Sequence, residues 1–477
     1  MEDFFPNKPL VVVSNREPYI HNRVNGQIQA MRPAGGAANA VDSVVRACGG
    51  IWFAHGSGDA DREVVDKNDC VQVPEENPEY TLKRIWLTQE EVKGYYYGFA
   101  NKALWPLCHL AYAKPSFEEK EWRIYQKVNR KFADAIIKYL DGRDAFVWIQ
   151  DYHFALLPRY LREANPNLSI AQFWHIPWPS PEQFRICPKG EEILQGLLGN
   201  DLMGFHIVYH CNNFIHTVNS VLESRVDWEK NTMIFQGKET LVRAFPISVD
   251  FEAISGDTDK EDVVNLSKEM KKEYRLDCPN IVFGVDRIDY SKGIPERLMA
   301  IDRFLESHPA FKEKVIFVVA GAPSRMKLAI YRNVNREIDR LVEEVNQKHK
   351  TKNWCPVIFI RRTLTRTEIL AFYRLANVCI VSPLHDGMNI VAKEYVSAKN
   401  DLNGVLILSK FTGVAREYKR ALQINPFDVD QFANSIKVAL EMDEKEKHSR
   451  MRELRKITRS NNVYHWALSI MQQLVTL

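Results

Sequence analysis

The sequence predicts an α/β chain of two Rossmann-like, doubly wound parallel-sheet domains facing a cleft. Three observations carry that expectation. Short apolar runs alternate with longer amphipathic stretches along the whole chain, as βα units require. The runs fall into two series. Between the series, FEAISGDTDKEDVVNLSKEM at 251–270 is charged and poor in strand signal.

In the first series the runs at 10–13, 51–54, 146–149, 170–174, 202–205 and 242–246 read as strands. In the second, strands are expected in IVFGV from Ile281, VIFVVAG from Val315, VIFI from Val357, VCIVS from Val378 and VLILS from Val405. Helices are expected between them, among others at 337–344 and 368–375. The region 55–130 fits less well. Its aromatic stretch YYYGFANKALWPLCHLAY suggests an inserted helical or loop segment near a site. The boundary falls between Pro246 and Asp257. The expected division is one domain at 1–250, a second at 251–455, and a last helix at 456–477.

Composition narrows the function classes. The chain has 477 residues, 45% apolar and 26% charged, which excludes a wholly disordered or collagen-like polymer. With 64 Lys+Arg against 61 Asp+Glu, the net charge of +3 provides no global field for nucleic acid or a membrane surface. Neither is expected as a partner. The eight cysteines form no CxxC pair or zinc-like spacing, so they read as small core residues in a reducing compartment. The N-terminus MEDFFPNKPL lacks the basic and apolar regions of a signal peptide, and no run of about 18 apolar residues exists to span a bilayer. A soluble, cytoplasmic protein is expected.

Ligands of open parallel sheets bind beyond the carboxyl ends of the strands. Arg16, Asp151 and His175 directly follow apolar runs of the first series, and Arg287 and Asp386 follow runs of the second. A site between two domains would collect all five. GVDRIDYSKG sets Arg287 and Lys292 just past a strand, with Gly293 allowing a close turn, which suits a diphosphate or else two surface cations. PLHDGMNIVAKEY turns at Asp386 and Gly387 and opens a helix near Asn389, whose free N–H groups would favour an anion. Glu394, just over one turn on, is placed to accept ribose hydroxyls or is simply a solvated helix glutamate. Gly35 and Gly36 precede a helix-like stretch and allow close backbone approach. Tyr95, Tyr96, Tyr97 and Trp105 offer rings for a sugar face or for a core. Neither G-x-G-x-x-G nor a Walker motif is present, which disfavours a nicotinamide dehydrogenase or P-loop ATPase.

Together VVSNR, LWP, IQDYHFALLP, HIPWPSPE, VDRIDYSKG, APSR and DGMNIVAKEY make the chain resemble the retaining trehalose-6-phosphate synthases, glycosyltransferases of GT-B architecture, over essentially its whole length. The resemblance implies transfer of glucose from a nucleotide diphosphate, usually UDP-glucose, to glucose 6-phosphate with retention. It implies a front-face reaction in which the leaving phosphate accepts the acceptor proton, with no protein nucleophile. Arg287 and Lys292 would hold the diphosphate, while Asp386, Gly387, Met388 and Asn389 would meet donor glucose and phosphate. Glu394 would take the ribose, His175 the donor sugar, and Gly36 the loop closing over the donor. Arg16 and Arg325 would clamp the acceptor phosphate, with Tyr96, Trp105 and Asp151 around its sugar. Arg287, Lys292, Asp151 and His175 are the expected catalytic set, with no metal and no cofactor. The implied partners are the nucleotide-sugar donor and the sugar-phosphate acceptor, with a homo-oligomer left open and a separate phosphatase expected downstream.

Two segments depart from the family pattern. The loop usually reading GGL is GGAAN, and IWFAHGSGDADRE places His55 where the family carries Trp. These changes leave a second reading to weigh, a glucosylglycerol-phosphate synthase using ADP-glucose and glycerol 3-phosphate, and the contrasting class is a non-catalytic regulatory subunit that binds sugar phosphate or nucleotide sugar and controls a partner.

Overall fold

The computed structural model describes residues 8–32 and 36–477. The chain divides into two compact units, one formed by Met1–Ile247 with Val463–Leu477 and the other by Ser248–Asn462.

The first unit contains β1 (Leu10–Arg16), β2 (Ile20–Val24), β3 (Gln27–Met31), β4 (Ile51–His55), β5 (Cys70–Val73), β6 (Tyr80–Ile85), β7 (Phe146–Gln150), β8 (Ser169–Phe173), β9 (Leu202–Phe205), β10 (Arg225–Asp227), β11 (Thr232–Phe235) and β12 (Lys238–Ala244). Ten of these form one sheet in the order β10-β11-β12-β9-β8-β7-β1-β4-β6-β5, and β2 and β3 make a separate hairpin. The sheet is parallel from β12 through to β6 and antiparallel only at its edges. Leu10, Val11, Val12 and Val13 are all buried, the mark of a strand covered on both faces.

The second unit contains β13 (Asn280–Arg287), β14 (Val315–Ala322), β15 (Val357–Ile360), β16 (Val378–Val381), β17 (Val405–Ser409) and β18 (Leu422–Ile424). They form a wholly parallel sheet in the order β15-β14-β13-β16-β17-β18. Strand order reverses between β13 and β16 here and between β1 and β7 in the first unit. In a doubly wound sheet that reversal leaves a crevice at the carboxyl edge, because successive helices depart to opposite sides.

All eleven expected strands are present, most with shifted ends. The largest shift is β12, which ends at Ala244 rather than reaching Pro246, a residue with no N–H to give a ladder. The expected helices at 337–344 and 368–375 lie inside Ala329–His349 and Arg366–Leu375. Unforeseen were β2, β3, β5, β6, β10, β11 and β18, which are short, edge-placed or alternating. Most telling is β6, YTLKRI, whose Lys and Arg break an apolar run although it pairs in parallel with β4. The region 55–130 is therefore corrected: it supplies β5 and β6 to the sheet besides the helical stretches that follow.

A register slip between Val13 and Arg16 marks a bulge at the end of β1, a device that re-aims the side chains beyond it. Four cysteines are buried, but Cys355 is exposed, so the core expectation fails there. No described helix is long and apolar enough to cross a membrane.

The helix Val463–Val475 belongs to the first unit and buries Trp466, whose ring lies 5.2 Å from Trp148 and 5.1 Å from Phe173. Trp466→Ala is expected to destabilise the first unit by about 3–5 kcal/mol, the usual result of emptying a large aromatic site. Denaturant unfolding measures it, and an unchanged midpoint would mean that this helix does not share the core.

Candidate active site

In the first unit, the loops after β1, β7 and β8 and one helical segment carry the predicted residues. Arg16 ends β1, is exposed, and donates through Nη2 to the Tyr96 hydroxyl at 3.5 Å. Tyr96 sits on the π-helical stretch Val92–Leu104, which is interrupted at Gly98, where φ −75° and ψ −108° are not helical. Such widened turns reorient side chains and recur at functional sites. The Tyr96 ring stacks on His153 with centroids 5.8 Å apart and planes at 11°. Tyr95 points into the core, tilted against Tyr125, His153 and Phe154. Trp105 is buried, stacked on His109 at 4.1 Å and 5.9 Å from the Tyr152 ring.

Asp151 follows β7 with φ +71°, a conformation that side chains rarely adopt. Its Oδ1 accepts the His175 backbone N–H at 3.1 Å, and its Oδ2 lies 4.0 Å from His153 Nδ1. One carboxylate thus ties the loops after β7 and β8 together. His175 Nε2 lies 3.0 Å from Gln150 Oε1, and burial pushes its imidazole down to about 3. The ring is neutral at physiological pH. Gly36 opens the helix Gly36–Cys48, while Gly35 lies outside the described residues.

In the second unit, the loops flanking the strand reversal are bound to each other. Lys292 Nζ donates to Asp386 Oδ2 at 2.5 Å, and the Leu384 N–H donates to Ser291 O at 2.8 Å. Gly293 has φ +63°, and a Cβ there would lie 2.1 Å from Ser382 O, so no other residue lets these loops meet. Asn389, at φ +74°, caps the helix Ile390–Ala398 by accepting the Ala392 N–H, and its Nδ2 donates to Asp386 Oδ2 at 3.1 Å. The turn is further set by Gly387 and Met388, which approach the Gly413 segment closely. One turn into the helix, Glu394 Oε2 accepts the Tyr373 hydroxyl at 3.2 Å, and burial raises its carboxyl above the ordinary range. Burial likewise drives His385 down to about 4.

Arg325 follows β14 with φ +47°, is buried, and donates through Nη1 to Asp289 Oδ2 at 3.2 Å and to the Tyr331 hydroxyl at 2.6 Å. Burial opposes ionisation of Asp289, but Arg325 and then Arg287 outweigh it and hold the carboxyl below its usual value. Arg287, Lys292 and Arg325 therefore stand against Asp289 and Asp386, three cations to two carboxylates. That residual positive charge, beside a helix N-terminus, is a place for an anion.

Of the predicted residues, the structure links Arg16, Tyr96, Asp151 and His175 through His153 and the loop bonds, and joins Lys292, Asp386 and Asn389 directly. Trp105 connects to the first group through Tyr152 and His153. Sequence reasoning missed His153, Asp289, Tyr331 and Tyr373. His153 was signalled by its place two residues after Asp151; the others became visible only once distant segments met.

Residues 8–476 match the family described as glycosyltransferase family 20. The chain is 35% identical over 479 residues to a trehalose-6-phosphate synthase of Mycobacterium avium, covering 98% of this chain and 96% of that protein. It is 35% identical over 478 residues to a bifunctional trehalose-6-phosphate synthase/phosphatase of Thermoproteus tenax, spanning 98% of this chain but 63% of that longer protein. A solved Escherichia coli structure with UDP-2-fluoro glucose superposes with TM-score 0.86 at 30% identity, over 98% of this chain and 99% of that one. A Burkholderia xenovorans α,α-trehalose-phosphate synthase (UDP-forming) in complex with glucose 6-phosphate superposes with TM-score 0.87 at 30% identity and the same coverage. The fold is that of these GT-B structures.

An NMR titration should find the His175 ring unprotonated from about pH 5 upward, since desolvation disfavours its charged form. A transition near 6.5, the value of a solvated imidazole, would show that the ring is not desolvated.

Proposed function

The chain belongs to glycosyltransferase family 20, and on that footing we propose that its first unit presents the acceptor and its second unit the donor of a glucosyl transfer. The enzyme is an α,α-trehalose-phosphate synthase (UDP-forming) that moves glucose from UDP-glucose to glucose 6-phosphate, forming trehalose 6-phosphate. One observation carries the assignment of the donor half: three cations face two carboxylates where strand order reverses, and a bound diphosphate supplies the missing negative charge.

In this reading Arg287 and Lys292 hold the diphosphate. Lys292 stays aligned by Asp386 before the donor arrives, so its charge needs no reorganisation when negative charge grows on the leaving group. Asp386, Gly387, Met388 and Asn389 line the donor glucose and phosphate, and Glu394 takes the ribose hydroxyls.

A neutral His175 is no proton donor near pH 7, which supports a hydrogen-bonding role toward the donor sugar rather than acid catalysis. Proton transfer from the acceptor to the departing phosphate then needs no protein acid or nucleophile, and catalysis rests on positioning and charge. Arg16 holds the acceptor phosphate. Tyr96, Trp105 and Asp151 surround its sugar, with Asp151 fixed by the His175 N–H at 3.1 Å.

The direct test is UDP release from UDP-glucose with glucose 6-phosphate, run against glycerol 3-phosphate, with the product identified by mass and anomeric NMR. Turnover confined to glycerol 3-phosphate would sink the reading. Arg287→Ala should lower kcat/KM by at least about a hundredfold, comparable to losing a preorganised donor; near-normal turnover would remove Arg287 from the mechanism. Arg16→Ala should instead raise the acceptor KM and leave UDP-glucose binding intact, as calorimetry with each ligand would reveal.

A further inference from the structure

A fully buried polar network lies under the acceptor half of the first unit. Arg84, near the end of β6, is its hub. Arg84 Nε donates to Glu17 Oε2 at 2.9 Å, Nη1 donates to Asp61 O at 2.9 Å, and Nη2 reaches Asp61 Oδ1 at 2.9 Å, Tyr19 O at 3.2 Å and His21 Nδ1 at 2.6 Å. Glu17 is the residue after Arg16, and its Oε1 accepts the Ser57 N–H at 2.7 Å and the Ser57 hydroxyl at 3.0 Å. Asp61 in turn accepts the backbone N–H groups of His21 at 2.8 Å and Gly58 at 2.6 Å. The side chains of Glu17, Asp61 and Arg84 are each 0% exposed.

We propose that Arg84 is a positioning residue for acceptor binding: its guanidinium ties together the segments that follow β1 and β4 and so fixes the direction of Arg16. This rests on the reading of Arg16 as a ligand of the acceptor phosphate. The two segments have no strand pairing of their own at this point, since the ladder between β1 and β4 ends at Arg16 and His55. A planar fork with five donors can hold several loops at once, as a lysine ammonium on a flexible stem cannot.

The network also holds a proton. Burial first, and then the hydrogen bond to Asp61, push the Glu17 carboxyl up to about 8, whereas hydrogen bonds from His21 and Glu17 overcome burial and hold Asp61 low. Near neutrality one cation, Arg84, therefore faces one carboxylate. The other groups facing Glu17 and Asp61 are His21 on β2, whose Nε2 donates to Glu75 Oε1 at 2.7 Å, His55 at the end of β4, which burial holds below its ordinary value, and the Ser57 and Tyr19 segments already named. As pH rises through the folded-state value, Glu17 ionises and two buried carboxylates face one cation, which loosens the loop carrying Arg16.

The test measures KM for glucose 6-phosphate and for UDP-glucose, with kcat, from pH 6.5 to about 9.5 for wild type, Arg84→Met, Arg84→Lys, Glu17→Gln and Arg16→Ala. Arg84→Met should raise the acceptor KM at least about tenfold while the donor KM stays within about twofold, and Arg84→Lys should recover only part of the loss. In wild type the acceptor KM should climb above about pH 8, and Glu17→Gln, which removes the ionisable carboxyl, should flatten that climb. Adding Arg84→Met to Arg16→Ala should produce no further rise if the two act in series. An acceptor KM that is flat with pH in wild type, a climb that survives in Glu17→Gln, or equal losses toward both substrates in Arg84→Met would overturn the proposal. Should Arg84→Met fail to fold, the pH profiles of wild type and Glu17→Gln decide alone. An Arg16→Ala enzyme with unchanged acceptor KM would instead overturn the assignment of Arg16, whatever the Arg84 variants do.

Discussion

Both units depend on one topological constraint, the reversal of strand order inside a parallel sheet. Parallel strands need crossovers, and where successive crossovers depart to opposite sides no helix covers the carboxyl edge between the two strands. In the second unit that edge lies between β13 and β16, and the loops leaving those strands carry Arg287, Lys292 and Asp386 to Asn389. In the first unit it lies between β1 and β7, and the loops there carry Arg16 and Asp151. The same accident of winding thus creates two polar edges on an otherwise apolar scaffold.

What differs between the edges is how charge is handled. The second unit keeps an excess cation beside a capped helix N-terminus, with Lys292 and Asp386 paired and Asn389 joining the same carboxylate. The field is preorganised for a ligand carrying negative charge. The first unit keeps His175 neutral and ties Asp151 to the His175 backbone N–H, which favours hydrogen bonding to uncharged hydroxyls. That division suits a reaction in which charge develops on the leaving phosphate rather than on a protein acid or nucleophile.

Rigidity at both edges comes from backbone positions few residues tolerate. Asp151, Arg325 and Asn389 all have positive φ, and Gly293 lets two loops approach within the space of a missing Cβ. Strain of this kind persists only where the surroundings over-determine it. Beneath Arg16 the over-determination is electrostatic: a buried arginine satisfies carboxyl groups and carbonyls from two neighbouring segments, and removing either sign of charge would leave the other unpaired in a low-dielectric site.

By itself the sequence determined which segments are central strands and which residues follow them, because burial on both faces demands continuous apolar runs and the sheet's polarity puts the next polar residue at the open edge. LVVVSNR, IVFGVDR and VCIVSPLHD carry that information within a dozen residues each. The motif resemblance, from VDRIDYSKG through DGMNIVAKEY, then supplied the reaction. Only the tertiary structure decided the edge strands, the π-helical turn that brings Tyr96 to Arg16, and the partners Asp289, Tyr331, Tyr373, Glu17 and Arg84. Those depend on segments dozens of residues apart meeting in space, as Glu17 and Arg84 do. A lysine and an arginine in YTLKRI read as solvent-facing when taken locally, yet Arg84 is buried because the carboxyl groups that compensate it arrive from other loops.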